Sequence, residues 1–212
     1  AETHEEVWKV AIGSDVAVFP VGNTLIEAAS SRTNARAVSF GLSDADYCVS
    51  NDVLTSPAGP LCSVDALWRS MPHDITNSLA AAALVVESGL VPANSLQQAL
   101  SNFESAHHRI EFIGEHVGSA WYDDSKATSP HAALTAIRAF DRLVLIAGGR
   151  NKGLDLSQMA TEPSRMVGVV AIGDDASLIA QAFDGICPVK MATDMKQAVA
   201  QAANLTVPGA SV

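Results

Sequence analysis

The stretch "VGVVAIGDDASLIAQAF", residues 167–183, decides the fold. Its first half is an unbroken apolar run rich in β-branched residues and closed by Gly173, which reads as a buried strand. From Asp175 the pattern changes to a helical one. The same sequence of events recurs on either side. Upstream, "RLVLIAGG" (142–149) is an apolar run ending in glycines; downstream, "PVKMA" (188–192) leads into the helical "DMKQAVAQAAN" (194–204). Strands alternating with helices predict βαβ units, a parallel sheet and a doubly wound α/β domain, with ligands bound beyond the carboxyl ends of the strands.

Outward from there the pattern extends through the chain. "RIEFIGE", Gly118 and "AWYD" predict a hairpin, and a helix is expected from Pro130 to about Phe140 with Ser129 as its cap. In the first half, "DVAVFPV" (15–21) and "ARAVSFG" (35–41) read as strands around a helix from Thr24 to about Ser31. Residues 44–70 are irregular, with a turn at Pro57, Gly59 and Pro60. "ITNSLAAAALVVESG" is an alanine-rich helix stopped at Gly89, and a further helix is expected from about Ser95 to Glu104, capped by Asn94 or Ser95. The chain thus reads as two α/β lobes, residues 1–105 and 106–212. The second is Rossmann-like, with a doubly wound, mostly parallel sheet.

Composition narrows the function. Of 212 residues, 48% are hydrophobic and 17% charged, as in a globular protein. The formal net charge of −10 argues against a nucleic-acid partner, which needs a basic face. No apolar run reaches the roughly 18 residues of a membrane span. Cys48, Cys62 and Cys187 are scattered, which argues against a disulfide framework or zinc site and for a reducing cytoplasm. Val7, Trp8 and Val10 among Glu5, Glu6 and Lys9 begin a helical pattern almost at residue 1. "LTVPGASV" reads as a turn followed by the first residues of a strand. Both ends predict a piece of a longer protein.

Four polar clusters stand out. "WYDDSKATSP" (121–130) crowds Asp123, Asp124, Ser125, Lys126 and Thr128 between a strand and a helix, where a plain turn would use Gly, Asn or Pro. "LIAGGRNKGLD" (145–155) puts Arg150 and Lys152 on a glycine loop after a strand, suited to a carboxylate or phosphate, though it matches neither the dinucleotide fingerprint nor a Walker A loop. "HHRIEF" (107–112) sets Arg109 at the lobe boundary as a candidate phosphate clamp. Adjacent His107 and His108 point to opposite faces of an extended segment, so they are not expected to share a metal. "PHDITNSLAAAAL" (72–84) opens a helix with Asp74, read as its cap, and Asn77, whose amide can read a planar ligand edge.

Taken together, these four motifs resemble the Mur ligase family, and within it the D-glutamate-adding branch. The resemblance covers the whole chain. It implies that residues 1–105 are the later part of a central ATP-binding domain and residues 106–212 most of a C-terminal amino-acid-binding domain. The implied reaction is ATP-dependent amide formation between D-glutamate and UDP-N-acetylmuramoyl-L-alanine through an acyl phosphate, in cytoplasmic peptidoglycan synthesis, by a monomer using Mg²⁺. The implied roles are Asn77 at adenine, Arg109 at the ATP phosphates and Asp124 at ribose. Lys126 is the catalytic cation, Thr128 a substrate contact and Lys152 the ligand of a D-glutamate carboxylate.

Departures accompany the likeness. Asp74 stands where the family has Asn, Asp123 and Ser129 replace flanking Asn residues, and His4 replaces a lysine. No G-x-x-x-x-G-K-[ST] loop and no set of central-domain metal ligands are present in these 212 residues, so ligation by them alone is not expected. Other readings are a non-catalytic nucleotide-binding module, a folylpolyglutamate synthase-like ligase and, on alternating strands alone, a dinucleotide-dependent oxidoreductase.

Overall fold

A computed structural model of the chain describes residues 11–151 and 153–212. The helical pattern near the start, with His4, and Lys152 therefore lie outside the described residues. The chain divides into two compact units between Glu104 and Ser105.

In the first unit, β1 (Val16–Pro20) and β2 (Arg36–Phe40) pair in parallel and are connected through α1 (Thr24–Ser30). Asn23 caps α1 by accepting from the N–H groups of Leu25 and Ile26. Residues 48–63, expected to be irregular, instead form an antiparallel meander: β3 (Cys48–Ser50), β4 (Val53–Ser56) and β5 (Gly59–Ser63). Gly59 and Pro60 begin a strand rather than only marking a turn, and the register slips at Leu54/Thr55. The long helix α2 (Pro72–Glu87) packs Leu79, Ala82 and Ala83 against Val38, Tyr47 and Leu54 to form the core. Pro72 opens it. Asp74 is not its cap: the cap residue is Met71, which makes no side-chain bond. The helix expected from Ser95 to Glu104 is shorter, α3 (Leu96–Ser101), after a 3-10 turn at Ala93–Ser95, and Ser95 makes no capping bond.

One polar network sits against this core. Tyr47, with no exposed surface, donates to Glu87 Oε1 at 2.7 Å, and Arg36 pairs with Glu87 Oε2. Burial, then the hydrogen bond to Glu87, pushes the Tyr47 phenol well up, so it stays a donor. The Arg36 hydrogen bond holds the Glu87 carboxyl below its ordinary value. A carboxyl depressed in the folded state contributes stability above its unfolded pKa and loses it as pH falls through the folded one. Glu87→Gln is therefore expected to be less stable than the parent at neutral pH, with the difference closing on acidification below about pH 4. Urea unfolding across pH 3–7 checks this, and a constant difference over that range contradicts it.

The second unit carries the expected parallel sheet. Its described order is β10 (Val189–Ala192), β9 (Met166–Ile172), β8 (Leu143–Gly148), all parallel. The strand β9 is central, with Val169, Val170 and Ala171 fully buried, because helices cover both faces. On one face α4 (Pro130–Arg138) and α5 (Ala176–Ala182) enclose Ile137, Met159, Val169 and Phe183. On the other, α6 (Met195–Leu205) brings Ala198 and Ala202 onto Val144 and Val170. Asp194 caps α6 and Ser129 caps α4, each accepting from a first-turn N–H. The predicted hairpin is β6 (Glu111–His116) and β7 (Ser119–Asp123).

Two further residues join hairpin to sheet. Ser211 bridges Ala120 on one side and Leu143 on the other, both in parallel. The described arrangement is therefore an α/β fold with a mostly parallel, doubly wound second unit. No helix among the described residues is long and apolar enough to cross a membrane.

Candidate functional site at the strand ends of the second unit

The run after β7 is shaped by its own backbone and carboxylates. Asp124 Oδ1 accepts the Ile110 N–H at 3.1 Å, tying the run to the segment before β6. The Lys126 N–H donates to the His108 carbonyl at 3.1 Å, and the Thr128 N–H donates to that of Lys126 at 2.9 Å. The chain is thereby folded into a tight turn ahead of α4. Lys126 and Thr128 are exposed, and Asp124 is half-buried.

The loop after β8 is shaped by close approach. A side chain on Gly148 would collide with the carbonyl and Cγ2 of Ile172 at the end of β9. Gly173, at φ +87°, lies so close to Gly149 that a Cβ there would come within 2.8 Å of its nitrogen. Gly149 N–H donates to the Ile172 carbonyl at 3.2 Å, and the Asp175 side chain accepts the Asn151 N–H. Asp175 does not cap α5, because its carboxylate is committed to this loop. Sequence alone did not single it out: an aspartate before a helix reads as an ordinary cap.

These two strand-end segments line one groove. Asp124, Ser125 and Thr128 contribute from the first, and Gly148, Gly149 and Arg150 from the second. The groove has a volume of about 1010 Å³ and continues inward between apolar side chains. Asp124 and Thr128 are thus brought together with the glycine loop, and Lys126 stands on the exposed turn between them. Arg109 is exposed, next to His108. Asn77 belongs to the first unit, exposed on the outer face of α2. Lys152 lies outside the described residues.

Ahead of β6 the two histidines take different carboxylates. His107 Nδ1 is 2.9 Å from Glu111 Oε1 and His108 Nδ1 2.6 Å from Asp123 Oδ2, with His108 at φ +65°. Hydrogen bonds from the His108 N–H and from His107 hold the Glu111 carboxyl below its ordinary value. His108, then the Ser125 N–H, does the same for Asp123. His108, Glu111 and Asp123 have metal-type ligand atoms within 4.8 Å of one another. Each is already bonded to a neighbour, and the set includes an imidazole where Mg²⁺ demands oxygen ligands and water. These residues do not fit a magnesium site.

In the first unit, Asp74 takes a role the sequence did not suggest. Its two oxygens accept from Arg69 Nε and Nη2 at 2.6 and 2.9 Å. Burial pushes its carboxyl up, but the hydrogen bonds from His73 and Arg69 outweigh that and hold it below its ordinary value. The Asp74 carboxylate is thus turned onto an internal guanidinium.

Comparison with known proteins places these segments. Residues 108–212 match the family profile described as Mur ligase, glutamate ligase domain. The UDP-N-acetylmuramoylalanine–D-glutamate ligase of Chlamydia caviae is 40% identical over 141 residues, 65% of this chain and 33% of that protein. The enzyme of the same name from Mycobacterium tuberculosis is 42% identical over 118 residues, 55% of this chain and 24% of that protein. The chain therefore spans about a third or less of the curated relatives it matches.

Among solved structures, the bifunctional folylpolyglutamate/dihydrofolate synthase of Yersinia pestis, complexed with AMPPNP and a manganese ion, aligns with all of this chain and 52% of its own at a TM-score of 0.69 and 17% identity. The MurF ligase of Thermotoga maritima, in complex with ADP, aligns with all of this chain at a TM-score of 0.66 and 16% identity. At such identities the likeness speaks for the fold. Through residues 108–212, with the DSKAT turn and the glycine loop facing each other across the strand ends, this chain belongs to the Mur ligase family.

Proposed function

We propose that this chain is the nucleotide- and amino-acid-binding part of an ATP-dependent ligase that joins D-glutamate to UDP-N-acetylmuramoyl-L-alanine in cytoplasmic peptidoglycan synthesis. Residues 1–105 would be the later part of its central ATP-binding domain and residues 106–212 its C-terminal amino-acid-binding domain. The observation that carries the reading is the groove at the strand ends, where Asp124 and Thr128 face Gly148, Gly149 and Arg150 in a segment about 40% identical to D-glutamate ligases.

The reaction assigns work to each side chain. The carboxylate of UDP-N-acetylmuramoyl-L-alanine attacks the γ-phosphorus of ATP, and ADP leaves with the electrons of the broken P–O bond. The D-glutamate amine then attacks the acyl phosphate carbon, and inorganic phosphate leaves with the C–O bond electrons. Such chemistry relies on positioning and charge neutralisation. The Asp124 carboxylate, oriented by Ile110, accepts from ribose hydroxyls, and the Asn77 amide meets the adenine edge. Arg109 holds the phosphates bidentately. Lys126 offsets negative charge at the transferring phosphate, Thr128 donates to the reacting groups beside it, and Lys152 pairs with a D-glutamate carboxylate. Mg²⁺ accompanies ATP in this reading, with ligands supplied from outside these 212 residues.

The test is phosphate release by the full-length protein with ATP and Mg²⁺. Release is expected only when D-glutamate and UDP-N-acetylmuramoyl-L-alanine are both present. Release supported instead by a pteroate and L-glutamate would move the assignment to a folylpolyglutamate synthase-like ligase, which the fold alone also accommodates. Because the chain spans a third or less of its relatives, a nucleotide-binding module without catalysis is the second reading. Calorimetric binding of ATP without turnover in the full-length protein would favour it.

A further inference from the structure

The turn ahead of β6 and the end of β7 converge on one spot. Glu111, the first residue of β6, and Asp123, the last of β7, stand directly opposite each other in the antiparallel register. Like charges in that relation destabilise a hairpin. Here one residue joins the two carboxylates. The His108 N–H donates to Glu111 Oε2 at 2.8 Å, and its ring Nδ1 lies 2.6 Å from Asp123 Oδ2. Left-handed backbone at His108 (φ +65°) and Ile110 (φ +48°) gives the segment this course. A neutral imidazole brings a proton to the pair but no net charge.

The three side chains present atoms that a metal ion takes. One ring nitrogen and two carboxylate oxygens lie within 4.8 Å of one another. Among the described residues no other group of three or more His, Cys, Asp or Glu side chains gathers in this way. Zinc bonds of about 2.0–2.2 Å to nitrogen and oxygen set ligands on one ion roughly 3–3.5 Å apart. The His108–Asp123 pair therefore opens slightly, with the ion in place of the shared hydrogen, and Glu111 moves inward. All three side chains are partly exposed and have room for this. Outer partners remain in place: Glu111 Oε1 keeps His107 Nδ1 at 2.9 Å, and Asp123 Oδ1 keeps the Ser125 N–H at 2.9 Å. Carboxylate ligands of metal ions are commonly oriented by such hydrogen bonds. Both carboxyls are already held below their ordinary values, so they are ionised at neutral pH.

We propose that His108, Glu111 and Asp123 bind one divalent cation of the zinc class, with water completing its coordination, and that this ion closes the open end of the β6–β7 hairpin. An imidazole beside two carboxylates suits zinc, nickel or copper better than magnesium or calcium, which take oxygen ligands. Two carboxylates and a neutral imidazole balance the charge of a divalent ion. Three protein ligands with an open position are the arrangement of an accessible zinc rather than an enclosed structural one. The effect of the ion reaches the neighbouring turn. The Lys126 N–H donates to the His108 carbonyl, the Ser125 N–H to Asp123, and the Ile110 N–H to Asp124. Fixing His108 to Asp123 holds both ends of this set of bonds, so the turn that carries Asp124, Lys126 and Thr128 stiffens when the metal binds.

The experiment titrates the chelator-stripped chain with zinc chloride by calorimetry. One zinc ion per chain is expected at micromolar concentration, and about a hundredfold excess of magnesium should not displace it. Asp123→Asn keeps an oxygen for the Ser125 N–H, and His108→Asn tolerates the left-handed backbone while removing the ring. Each should weaken zinc binding at least about tenfold, whereas Glu115→Gln, on the same hairpin, should not. Circular dichroism of the metal-free variants reports that each is folded. In the parent itself, zinc should shift the Nδ1 resonance of His108 and not those of His73 or His131, and should slow hydrogen exchange at the Lys126 amide. The parent readings decide the matter even if a variant unfolds. Zinc bound as tightly by Asp123→Asn as by the parent means an adventitious ion only and overturns the proposal. So does an unmoved His108 resonance, displacement by magnesium, or zinc binding with unchanged exchange at Lys126. No nucleotide or turnover enters this test, so its failure leaves the ligase reading standing.

Discussion

Gly148→Ala is expected to lower the thermal midpoint of the second unit by more than any other single-methyl addition at its glycines. The new Cβ would occupy the space of the Ile172 carbonyl and Cγ2, where β8 and β9 end side by side. A carbonyl in a parallel ladder cannot rotate away without breaking the pairing around it. Overpacking against fixed backbone costs about 3 kcal/mol, and each kcal/mol moves the midpoint of a unit this size by roughly 4–8 °C. Gly185→Ala separates this cause from backbone preference. Gly185 sits at φ +73° with nothing near its Cβ, so alanine there costs only the left-handed conformation, about 1 kcal/mol. Thermal unfolding of both variants decides the matter: a fall at Gly148→Ala no larger than at Gly185→Ala means the strand ends can spread apart. The same spreading would displace Gly149 and Arg150 from the groove, so ligand binding by the full-length protein is expected to fall with stability.

Lys126→Ala is expected to do the opposite, leaving the fold intact and removing function. The lysine side chain is exposed, and the turn around it is held by its backbone N–H, which alanine keeps. On the proposed ligase reading, loss of a cation at the transferring phosphate should lower kcat of the full-length protein on the order of 10² to 10³-fold. The thermal midpoint should move by no more than about 0.5 kcal/mol equivalent, as for other surface substitutions. Lys190→Ala, at an exposed position of β10, serves as the charge-matched control and should leave turnover unchanged. Turnover within threefold of the parent for Lys126→Ala would remove the lysine from the proposed chemistry.

The parts of this molecule that sequence made legible are those where one physical signal dominates. The strand β9 is buried on both faces, so its residues are apolar without interruption and its type is plain. That the two polar segments line one groove was legible because each follows a strand, and parallel strands bring their carboxyl ends to one side. The meander of β3, β4 and β5 was not: strands of three to five residues around Pro57, Gly59 and Pro60 carry turn chemistry at the same positions as pairing. Asp74 was misread because a carboxylate in a helix's first turn is usually spent on the helix. Here Arg69 sits five residues earlier and takes both oxygens, a pairing that no periodicity announces. Asp175 escaped notice for the same reason. His107 and His108 were read as part of an extended segment, but they lie in a turn, and the left-handed backbone at His108 that sends them to separate carboxylates had no signature in its residue type.

The stitch made by Ser211 and Val212 has a bearing on how the second unit is built during synthesis. The β6–β7 hairpin leaves the ribosome before the residues that pair it to the larger sheet, which are translated long after it. Until they emerge, the strand pairing of the hairpin is that of β6 with β7 alone. Docking of this element onto the sheet is therefore a late closure over a long stretch of chain, the kind of non-local contact that slows folding.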